Sequence, residues 1–374
     1  MKKIAIIGGG AAGMACAVFL AKKGHSVTVL ERGERLGKKL SATGNGQGNV
    51  TNVNMGAEHY HSDDGQKIAA ALEKFGCRET VAFLESLGGI FLPDARGRMY
   101  PASRQASSVT DLLRREISRR NVDVCFGAQV SGLTYGEQFT LTWAGGQMCA
   151  DAVILAAGGC AAPNFGTDGN GYALAKKFSH TVTELSPALV QLRCNPADVR
   201  GLKGIRTEAN AELLRGGKHI YSARGDVLFT ESGLSGDAIF RISSYARKGD
   251  TVTLDLLPDV PTEKLLKAYR TGGDLVGVVN NGLARVLEKK AQGEAVIKLV
   301  KSFPLEITGT LGFAYAQVTK GGIPLRETDE HLMSKFQKDL YFIGEILNVD
   351  GECGGYNLQW AFTSAYLAAE GIGL

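Results

Sequence analysis

The pattern of apolar and polar positions predicts a βαβ unit at the start of this chain. Residues 3–7 (KIAII), which are apolar from Ile4 onward, predict a buried strand, and a helix-like stretch follows to residue 24. Residues 26–31 (SVTVLE) predict a second strand that ends in an acid. Continuous apolar strands are typical of parallel sheets, because helices cover both faces of such sheets.

The pattern up to residue 186 predicts more of the same α/β domain. Residues 151–159 (DAVILAAGG) predict a buried strand that ends in a glycine turn and returns to the parallel sheet. Residues 32–62 are irregular and rich in Gly, Asn, Thr and His. The other predicted elements are helices over 66–87 and 107–120, strands over 122–126 and 129–133, and a hairpin over 139–150.

The pattern changes after Pro187. Short alternating runs over residues 187–250 predict an antiparallel sheet or small barrel. Three helices are predicted over 261–269, 275–288 and 294–302, then a core strand over 340–344 and a closing helix over 356–370. We therefore expect a discontinuous nucleotide-binding domain with an insertion. The predicted domains are residues 1–186 with 319–374, a β-rich insertion of 187–255 with 303–318, and a helical subdomain of 256–302.

Residues 8–13 (GGGAAG) have the spacing of a dinucleotide-binding turn. In such a turn Gly8 permits the tight bend, Gly10 lets the backbone approach a pyrophosphate, and Gly13 lets the helix pack closely on the sheet. The helix N-terminus offers free N–H groups and a positive dipole end. Glu31 ends the second strand, where a ribose-binding acid is expected. A structural turn without a ligand is the alternative.

A second glycine-rich segment lies at the other end of the chain, over residues 344–359. An N-terminal nucleotide site that is completed by a C-terminal segment is typical of a cofactor laid across a whole domain. The two ends together predict FAD.

Composition and charge argue against several classes of protein. The chain is 44% hydrophobic and 21% charged, with a net charge of +4, which is too small to favour nucleic acid or membrane surfaces. Nothing at the N-terminus resembles a signal peptide, and no apolar run reaches the ~18 residues of a membrane helix. The seven cysteines and six histidines lack metal-ligand spacing. We expect a cytoplasmic protein without metal, membrane or nucleic-acid partner; its oligomeric state is not predicted.

Several segments carry a family resemblance. They are residues 38–46 (KKLSATGNG), 100–106 (YPASRQA), 228–236 (LFTESGLSG), 318–323 (VTKGGI), 344–345 (GE) and 354–361 (GGYNLQWA). Together they resemble the HI0933-like flavoprotein family, which includes aminoacetone-oxidase-like and dehydro-bile-acid-reductase-like members. The family's loop usually continues Gly-Arg-Cys-Asn, whereas this chain has Gln47 and Gly48 in place of Arg-Cys. Asn348 stands where an aspartate is more usual, and Asp350 remains.

The resemblance implies a Rossmann-like α/β fold of the two-dinucleotide type. Its FAD-binding domain carries an inserted β-barrel-like domain and a small helical domain, with the active site between domains. Glu31 is expected on the ribose, Arg32 beside the adenine or merely on the surface, and Val130 at the adenine edge through its backbone. The implied FAD contacts are Gly8, Gly10, Ala11, Ala12, Gly13, Glu31, Arg32, Lys39, Ser41, Thr43, Gly44, Asn45, Val130, Ala157, Gly158, Gly344, Glu345, Asn357, Leu358 and Gln359.

Catalytic residues are not identified, but the same segments supply candidates for the substrate side. Arg104 either holds a carboxylate or carbonyl, or ties down a loop. Tyr356 either donates a proton or packs, and Glu231 can be a general acid only if burial raises its pKa. Cys353 has no adjacent partner cysteine, which favours packing over redox chemistry. The candidates are Tyr100, Arg104, Thr230, Glu231, Ser235, Arg241 and Tyr356.

Three functions compete. The first is an FAD-dependent reductase of an activated C=C bond of enone type in a small organic substrate, with NAD(P)H as the electron source. The chain has no second dinucleotide fingerprint, so the nicotinamide would visit the open flavin face or another donor would act. The second is an FAD-dependent amine oxidase. The third is a non-catalytic or RNA-associated flavoprotein, which the near-neutral charge disfavours.

Overall fold

The computed structural model describes residues 1–372 and divides into two compact units. The first unit consists of Met1–Ser186 together with the chain from Val318 onward, and the second is Pro187–Gln317. Among the described residues no helix has the length and apolarity that crossing a membrane requires.

The first segment of the first unit contains both strands and helices. In chain order its elements are β1 (Lys3–Ile7), α1 (Ala11–Lys22), β2 (Ser26–Glu31), β3 (Thr51–Asn52), β4 (Tyr60–Ser62), α2 (Gly65–Lys74), α3 (Cys77–Ser86), β5 (Phe91–Pro93), β6 (Arg98–Pro101), α4 (Ala106–Arg119), β7 (Asp123–Phe126), β8 (Val130–Tyr135), β9 (Phe139–Trp143), β10 (Gly146–Ala150), β11 (Ala152–Leu155) and α5 (Asn170–Lys176).

The second unit is mostly β-structure followed by helices. After the connecting strand β12 (Ser186–Ala188), its elements are β13 (Leu192–Cys194), α6 (Pro196–Val199), β14 (Arg206–Arg215), β15 (Lys218–Phe229), β16 (Gly233–Ser235), α7 (Asp237–Ser243), β17 (Thr251–Asp255), α8 (Thr262–Gly272), α9 (Asn281–Lys290), α10 (Ala295–Lys301) and β18 (Phe303–Thr310).

The chain then returns to the first unit. The last elements are β19 (Val318–Lys320), β20 (Leu340–Phe342), β21 (Val349–Gly351) and α11 (Tyr356–Gly371).

A five-stranded parallel sheet organises the first unit, with strand order β20-β11-β1-β2-β7. Ile6 of β1 lies between Val29 of β2 and Ile154 of β11. The chain runs from β1 to β2 on one side and later to β11 on the other, so the strand order reverses beside β1. In open α/β sheets a ligand binds outside the carboxyl ends of the strands at such a reversal. The Rossmann-type fold expected from the sequence is therefore confirmed.

The continuous apolar run of β1 reflects burial on both faces. Ile4 and Ile6 belong to the core that contains Met14 of α1, whereas Ala5 and Ile7 belong to a separate core on the opposite face. Because successive side chains of a strand point to opposite faces, both faces of this sheet need apolar residues.

The second unit is built on a closed barrel with strand order β13-β16-β15-β14-β17-β18, which is one of the two alternatives that the alternating pattern predicted. The long hairpin of β14 and β15 forms one wall of the barrel. Leu265, Leu283 and Val300 of the three following helices belong to the same hydrophobic core as the inward residues of the barrel. Barrel and helices therefore share one core.

Two helical boundaries differ from the expected ones. Residues 66–87 form two helices because the chain is extended at Gly76, whose N–H donates to Glu79 of the next helix at 3.0 Å. The helix predicted from residue 275 begins at Asn281, because the side chain of Asn280 accepts a hydrogen bond from Gly282 and caps it.

Candidate functional site

In the glycine turn after β1, backbone segments approach each other too closely for side chains at Gly8 and Gly13. Gly8 has a φ of +109°, and a Cβ atom there would lie 2.5 Å from the carbonyl oxygen of Ala156. A Cβ atom on Gly13 would lie 2.0 Å from the Gly8 oxygen, so α1 can pack here only with glycine. At Gly10 an added Cβ atom would meet no protein atom within 4 Å. Open space at Gly10 therefore leaves room for a group outside the described chain.

The N-terminus of α1 faces this space without a cap. Its N-cap residue is Gly10, which has no side chain to accept a hydrogen bond from the first turn. The first turn also contains no acidic residue. Ala11 and Ala12 supply backbone N–H groups in that turn. Uncapped N–H groups and the positive end of a 12-residue helix attract an anion such as a pyrophosphate.

The carboxylate of Glu31 is held at the carboxyl end of β2. It accepts hydrogen bonds from the backbone N–H of Gly9 at 2.8 Å and of Gly33 at 2.7 Å. Arg32 forms an ion pair with Asp168 at 2.7 Å. Burial alone would raise the pKa of Asp168, but the hydrogen bonds from Arg32 and from the backbone N–H of Asn170, together with the charge of Arg32, outweigh it, and the pKa lies below its usual value. The acid expected at a ribose is thus positioned beside the glycine turn.

A polar cluster joins the loops that follow β2, β11 and β20. The Lys39 ammonium donates to Glu345 at 2.7 Å and to the carbonyl oxygen of Ala161 at 3.3 Å. The other oxygen of Glu345 accepts from the N–H of Thr319 at 2.9 Å. The Thr319 hydroxyl in turn accepts from the N–H groups of Cys160 and Ala161. Burial raises the pKa of the Cys160 thiol, and Glu345 raises it further.

The loop over residues 40–49 meets the start of α11. The hydroxyl groups of Ser41 and Thr43 donate to carbonyl oxygens of their own turn, and Asn45 has a φ of +54°. Asn49 was not predicted from the sequence. Its side-chain oxygen is buried, has no hydrogen-bond partner in residues 1–372, and lies beside Gly355 at the N-terminus of α11. This oxygen is therefore a buried hydrogen-bond acceptor that no described residue satisfies.

The side chains at the start of α11 are engaged within the protein. Asn357 holds both the N–H and the carbonyl oxygen of Gly351. Gln359 is fully buried and bonds Thr51, Thr363 and Phe75. Leu358 packs on the core of the first unit. The groups that remain to bind a cofactor here are the backbone N–H donors in the uncapped first turn of α11.

The remaining predicted cofactor residues also lie in the first unit. Ala157 and Gly158 follow β11, and Val130 begins β8 as a buried residue. Gly44 and Gly344 have φ angles of +59° and +71°. The amide of Gly344 donates to Ser364 of α11 at 2.9 Å.

Two substrate-side candidates lie together on β6 and the turn after it. The Arg104 guanidinium sits over the ring of Tyr100, 4.4 Å from its centroid. Arg104 has a φ of +52°. Burial raises the pKa of the Tyr100 phenol. Arg104 therefore contacts an aromatic ring in a cation–π arrangement.

Glu231 is not a buried carboxyl with a raised pKa, which is what a role as general acid requires. Its side chain is 79% exposed and bonds Lys203 at 2.7 Å, which lowers its pKa. Thr230, Ser235 and Arg241 also lie in the second unit. Arg241 bonds Asp237 of its own helix at 3.0 Å.

A ladder of polar pairs, not predicted from the sequence, crosses the two-stranded ribbon of β4 and β21. His59 bonds Glu352 at 3.1 Å, and His61 bonds Asp350 at 2.9 Å. The next pair in this series joins Asp63 and Asn348 at 3.1 Å. The spacing of two between histidines and between acids was the sequence signal, since paired strands repeat every second residue. The ring of His59 also stacks on Tyr356, with ring centroids 4.4 Å apart and planes at 22°.

These residues fit a dinucleotide. An uncapped helix N-terminus beside Gly10, the carboxylate of Glu31 and a second uncapped N-terminus at α11 provide the donors and acceptors that phosphates, ribose and a flavin require.

Comparisons with known proteins agree. The model of the HI0933-like protein Rossmann domain matches residues 2–371. The chain is 38% identical over 402 residues to the 3-dehydro-bile acid delta(4,6)-reductase of Clostridium scindens, with 98% of each chain covered. It is 29% identical over 396 residues to the ribosomal RNA dihydrouridine synthase of Haemophilus influenzae, covering 98% of this chain and 97% of that protein.

A solved structure shows the same fold. The 3-ketosteroid-delta4-(5alpha)-dehydrogenase from Rhodococcus jostii RHA1 superposes with a TM-score of 0.56 at 15% identity, covering 98% of this chain and 96% of that chain. At this identity the likeness concerns the fold alone. Family, fold and site together lead to one conclusion: the chain belongs to the HI0933-like family of Rossmann-domain proteins and is an FAD-dependent oxidoreductase.

Proposed function

We propose that this enzyme reduces an activated C=C bond of enone type in a small organic substrate, with NAD(P)H as the electron source. The single observation that carries the proposal is the 38% identity, over 98% of both chains, to a protein named for delta(4,6)-reduction of a 3-dehydro-bile acid. A double bond conjugated to a carbonyl accepts hydride because the carbonyl takes up the developing charge.

The second relative supports the same bond chemistry. Dihydrouridine differs from uridine by saturation of a C=C bond conjugated to a carbonyl, so both relatives are named for one type of reduction. The shared part of these names is the reaction, whereas the substrates differ in size and kind. The two relatives therefore support reduction of a conjugated double bond and do not point to one substrate.

Bound FAD supplies the two-electron carrier for this reaction. We assign its pyrophosphate to the N–H groups at Gly10–Gly13, its ribose to Glu31, and its flavin end to the start of α11. The N-terminus of α11 stabilises negative charge near it. Lys39 and Glu345 hold the loops around the cofactor together. Tyr100 and Arg104 belong to the substrate side of the first unit, where the guanidinium can orient a carbonyl or carboxylate.

We place the enzyme in the cytoplasm with a small molecule as its partner. All seven cysteines are free, which is typical of a reducing compartment.

A ribosomal RNA substrate is the second candidate, favoured by the relatives of 29% and 28% identity. The net charge of +4 offers little electrostatic attraction to RNA. Ribosomal RNA from cells with and without the gene separates the candidates. A dihydrouridine that disappears with the gene would assign the RNA substrate and contradict the small-molecule proposal.

Anaerobic stopped-flow absorbance tests the proposed reaction. FAD-loaded protein is mixed with NADH or NADPH, and the reduced enzyme is then mixed with a steroid-like enone or with air. We expect rapid bleaching of the flavin band, fast reoxidation by the enone and slow reoxidation by air. No bleaching by either nucleotide would rule out NAD(P)H as the donor, and peroxide formation that depends on an amine would favour an oxidase.

A further inference from the structure

The ribbon of β4 and β21 carries two histidine–carboxylate pairs of the same kind, and the ring of one of them, His59, stacks on the first residue of α11. Asp350 and His61 are direct cross-strand neighbours, and their pair lies within the ribbon. The pair of His59 and Glu352 lies at its end, where the N–H of Glu352 also donates to the His59 carbonyl oxygen at 2.9 Å.

The His59 ring is fixed against the first residue of α11. It stacks on Tyr356, and the hydroxyl of Tyr60 donates to the Tyr356 carbonyl oxygen at 2.8 Å. Nδ1 of His59 is engaged by Glu352, while Nε2 lies 3.9 Å from Glu58, beyond hydrogen-bond distance. The side chain is 27% exposed, so the imidazole can exchange protons with solvent.

We propose that His59, oriented by Glu352, supplies the proton that completes reduction of the C=C bond. This inference rests on the proposed function. Saturating a conjugated double bond needs a hydride at the carbon β to the carbonyl and a proton at the α carbon. Glu231 is exposed and its pKa is lowered, which removes it as the acid. Histidine is the side chain best suited to proton transfer near neutral pH.

The step balances without further reactants. Reduced nicotinamide provides two electrons and one hydrogen as hydride, through FAD, to the β carbon. The N–H bond of the His59 imidazolium breaks, a C–H bond forms at the α carbon, and the carbonyl is restored from the enolate. Neutral His59 then takes a proton from water. Glu352 is a positioning residue, because its hydrogen bond to Nδ1 fixes the ring orientation and leaves Nε2 as the nitrogen that transfers the proton.

Two matched variants test this role. His59→Gln keeps an amide that can donate to Glu352 but has no transferable proton. His61→Gln makes the same change one ribbon pair away and keeps a donor for Asp350. Each protein is loaded with FAD, reduced anaerobically by NAD(P)H, and mixed with the enone. For His59→Gln we expect the enone step to slow about 100-fold. Flavin content, Tm and the rate of reduction by NAD(P)H should stay within about twofold of wild type. His61→Gln should match wild type in all four.

A second measurement needs no cofactor. In ¹⁵N-histidine-labelled protein without FAD, we expect the neutral His59 ring to carry its proton on Nδ1, facing Glu352. Glu352→Gln should shift this tautomer and slow the enone step about tenfold in the loaded enzyme.

Three results would overturn the inference: an enone step in His59→Gln within twofold of wild type, an equal loss in His61→Gln, or loss of FAD or fold in His59→Gln. If the wild-type enzyme, once reduced, passes no electrons to any enone, the proposed function itself is wrong. That failure is visible before any variant is made.

Discussion

Lys39 and Glu345, which are 306 residues apart in the chain, form an ion pair of 2.7 Å at the carboxyl ends of the parallel strands. Their side chains are 23% and 21% exposed. A pair this sheltered is weakened less by solvent than a surface pair. Glu345 also receives the N–H of Thr319, so the ion pair connects the N-terminal loop to the returning C-terminal segment.

We expect Lys39→Met to loosen this junction and weaken FAD binding. The change leaves the half-buried Glu345 carboxylate without its cation, which costs more than the pair itself contributes. The double variant Lys39→Met/Glu345→Gln should regain part of the lost stability but none of the FAD affinity. A double-mutant cycle on urea unfolding should give a coupling of about 1 kcal/mol. Additive effects would contradict the proposed junction.

Gly10→Val should abolish FAD binding while the fold remains. An added Cβ atom at Gly10 would meet no protein atom within 4 Å, so we expect the new side chain to collide with the bound pyrophosphate rather than with the fold. Gly13→Val is the contrasting variant, because its Cβ atom would lie 2.0 Å from the Gly8 oxygen and destabilise the fold itself. Absorbance at 450 nm and thermal unfolding separate the two effects. Stoichiometric flavin in Gly10→Val would show that the cofactor lies elsewhere.

Ser334, His180 and Glu327 form a buried Ser–His–Glu arrangement that we expect to be structural. Nε2 of His180 lies 2.7 Å from the Ser334 oxygen, and Nδ1 lies 3.0 Å from Glu327. The Ser334 oxygen already accepts the N–H groups of Phe336 and Gln337, which uses the lone pairs that a nucleophile needs.

Ser334→Ala should therefore destabilise the protein without changing enone reduction in the folded fraction. Loss of the hydroxyl leaves Nε2 of His180 and two backbone donors unpaired, at a cost of about 1–3 kcal/mol. Urea unfolding measures the cost, and esterase assays on the wild type should show no activity. Hydrolysis that is lost in Ser334→Ala would refute the structural assignment.

Asp250 should contribute acid-sensitive stability to the second unit. Burial alone would raise its pKa, but hydrogen bonds from Arg215 and from the N–H of Arg247 outweigh it, and the pKa lies below its usual value. A carboxyl with a depressed folded pKa stabilises above its unfolded pKa of about 3.9. This stabilisation is lost as the pH falls through the folded value.

Asp250→Asn should therefore lower the urea midpoint at pH 7 and have a smaller effect near pH 3. Asp259→Asn is the control, since Asp259 is 73% exposed and pairs with Arg224 at the surface. A loss at Asp250 that does not shrink on acidification would contradict the role of its charge.

Many elements of the fold could be predicted because each depends on a pattern of residues that are close together in the chain. The consecutive apolar residues from Ile4 to Ile7 in β1 predict burial on both faces of the sheet. The glycines at 8 and 13 predict a turn in which no larger residue fits. The alternation of apolar and polar residues over 206–229 predicts the two strands of the hairpin. The break at Gly76 was missed, because helical spacing continues across it and only the capping bond of Glu79 reveals it.

The sequence by itself determined the family, the βαβ unit and the glycine turn with Glu31, and it predicted a β-rich insertion as either an antiparallel sheet or a small barrel. Closure of the barrel depends on β13 pairing with the distant β18. Only the tertiary structure decided which side chains meet across hundreds of residues. It paired Lys39 with Glu345 and His59 with Glu352, exposed Glu231, and buried Gln359 in the core. Burial and partners set the chemistry of a titratable group, and both arise only when distant segments pack.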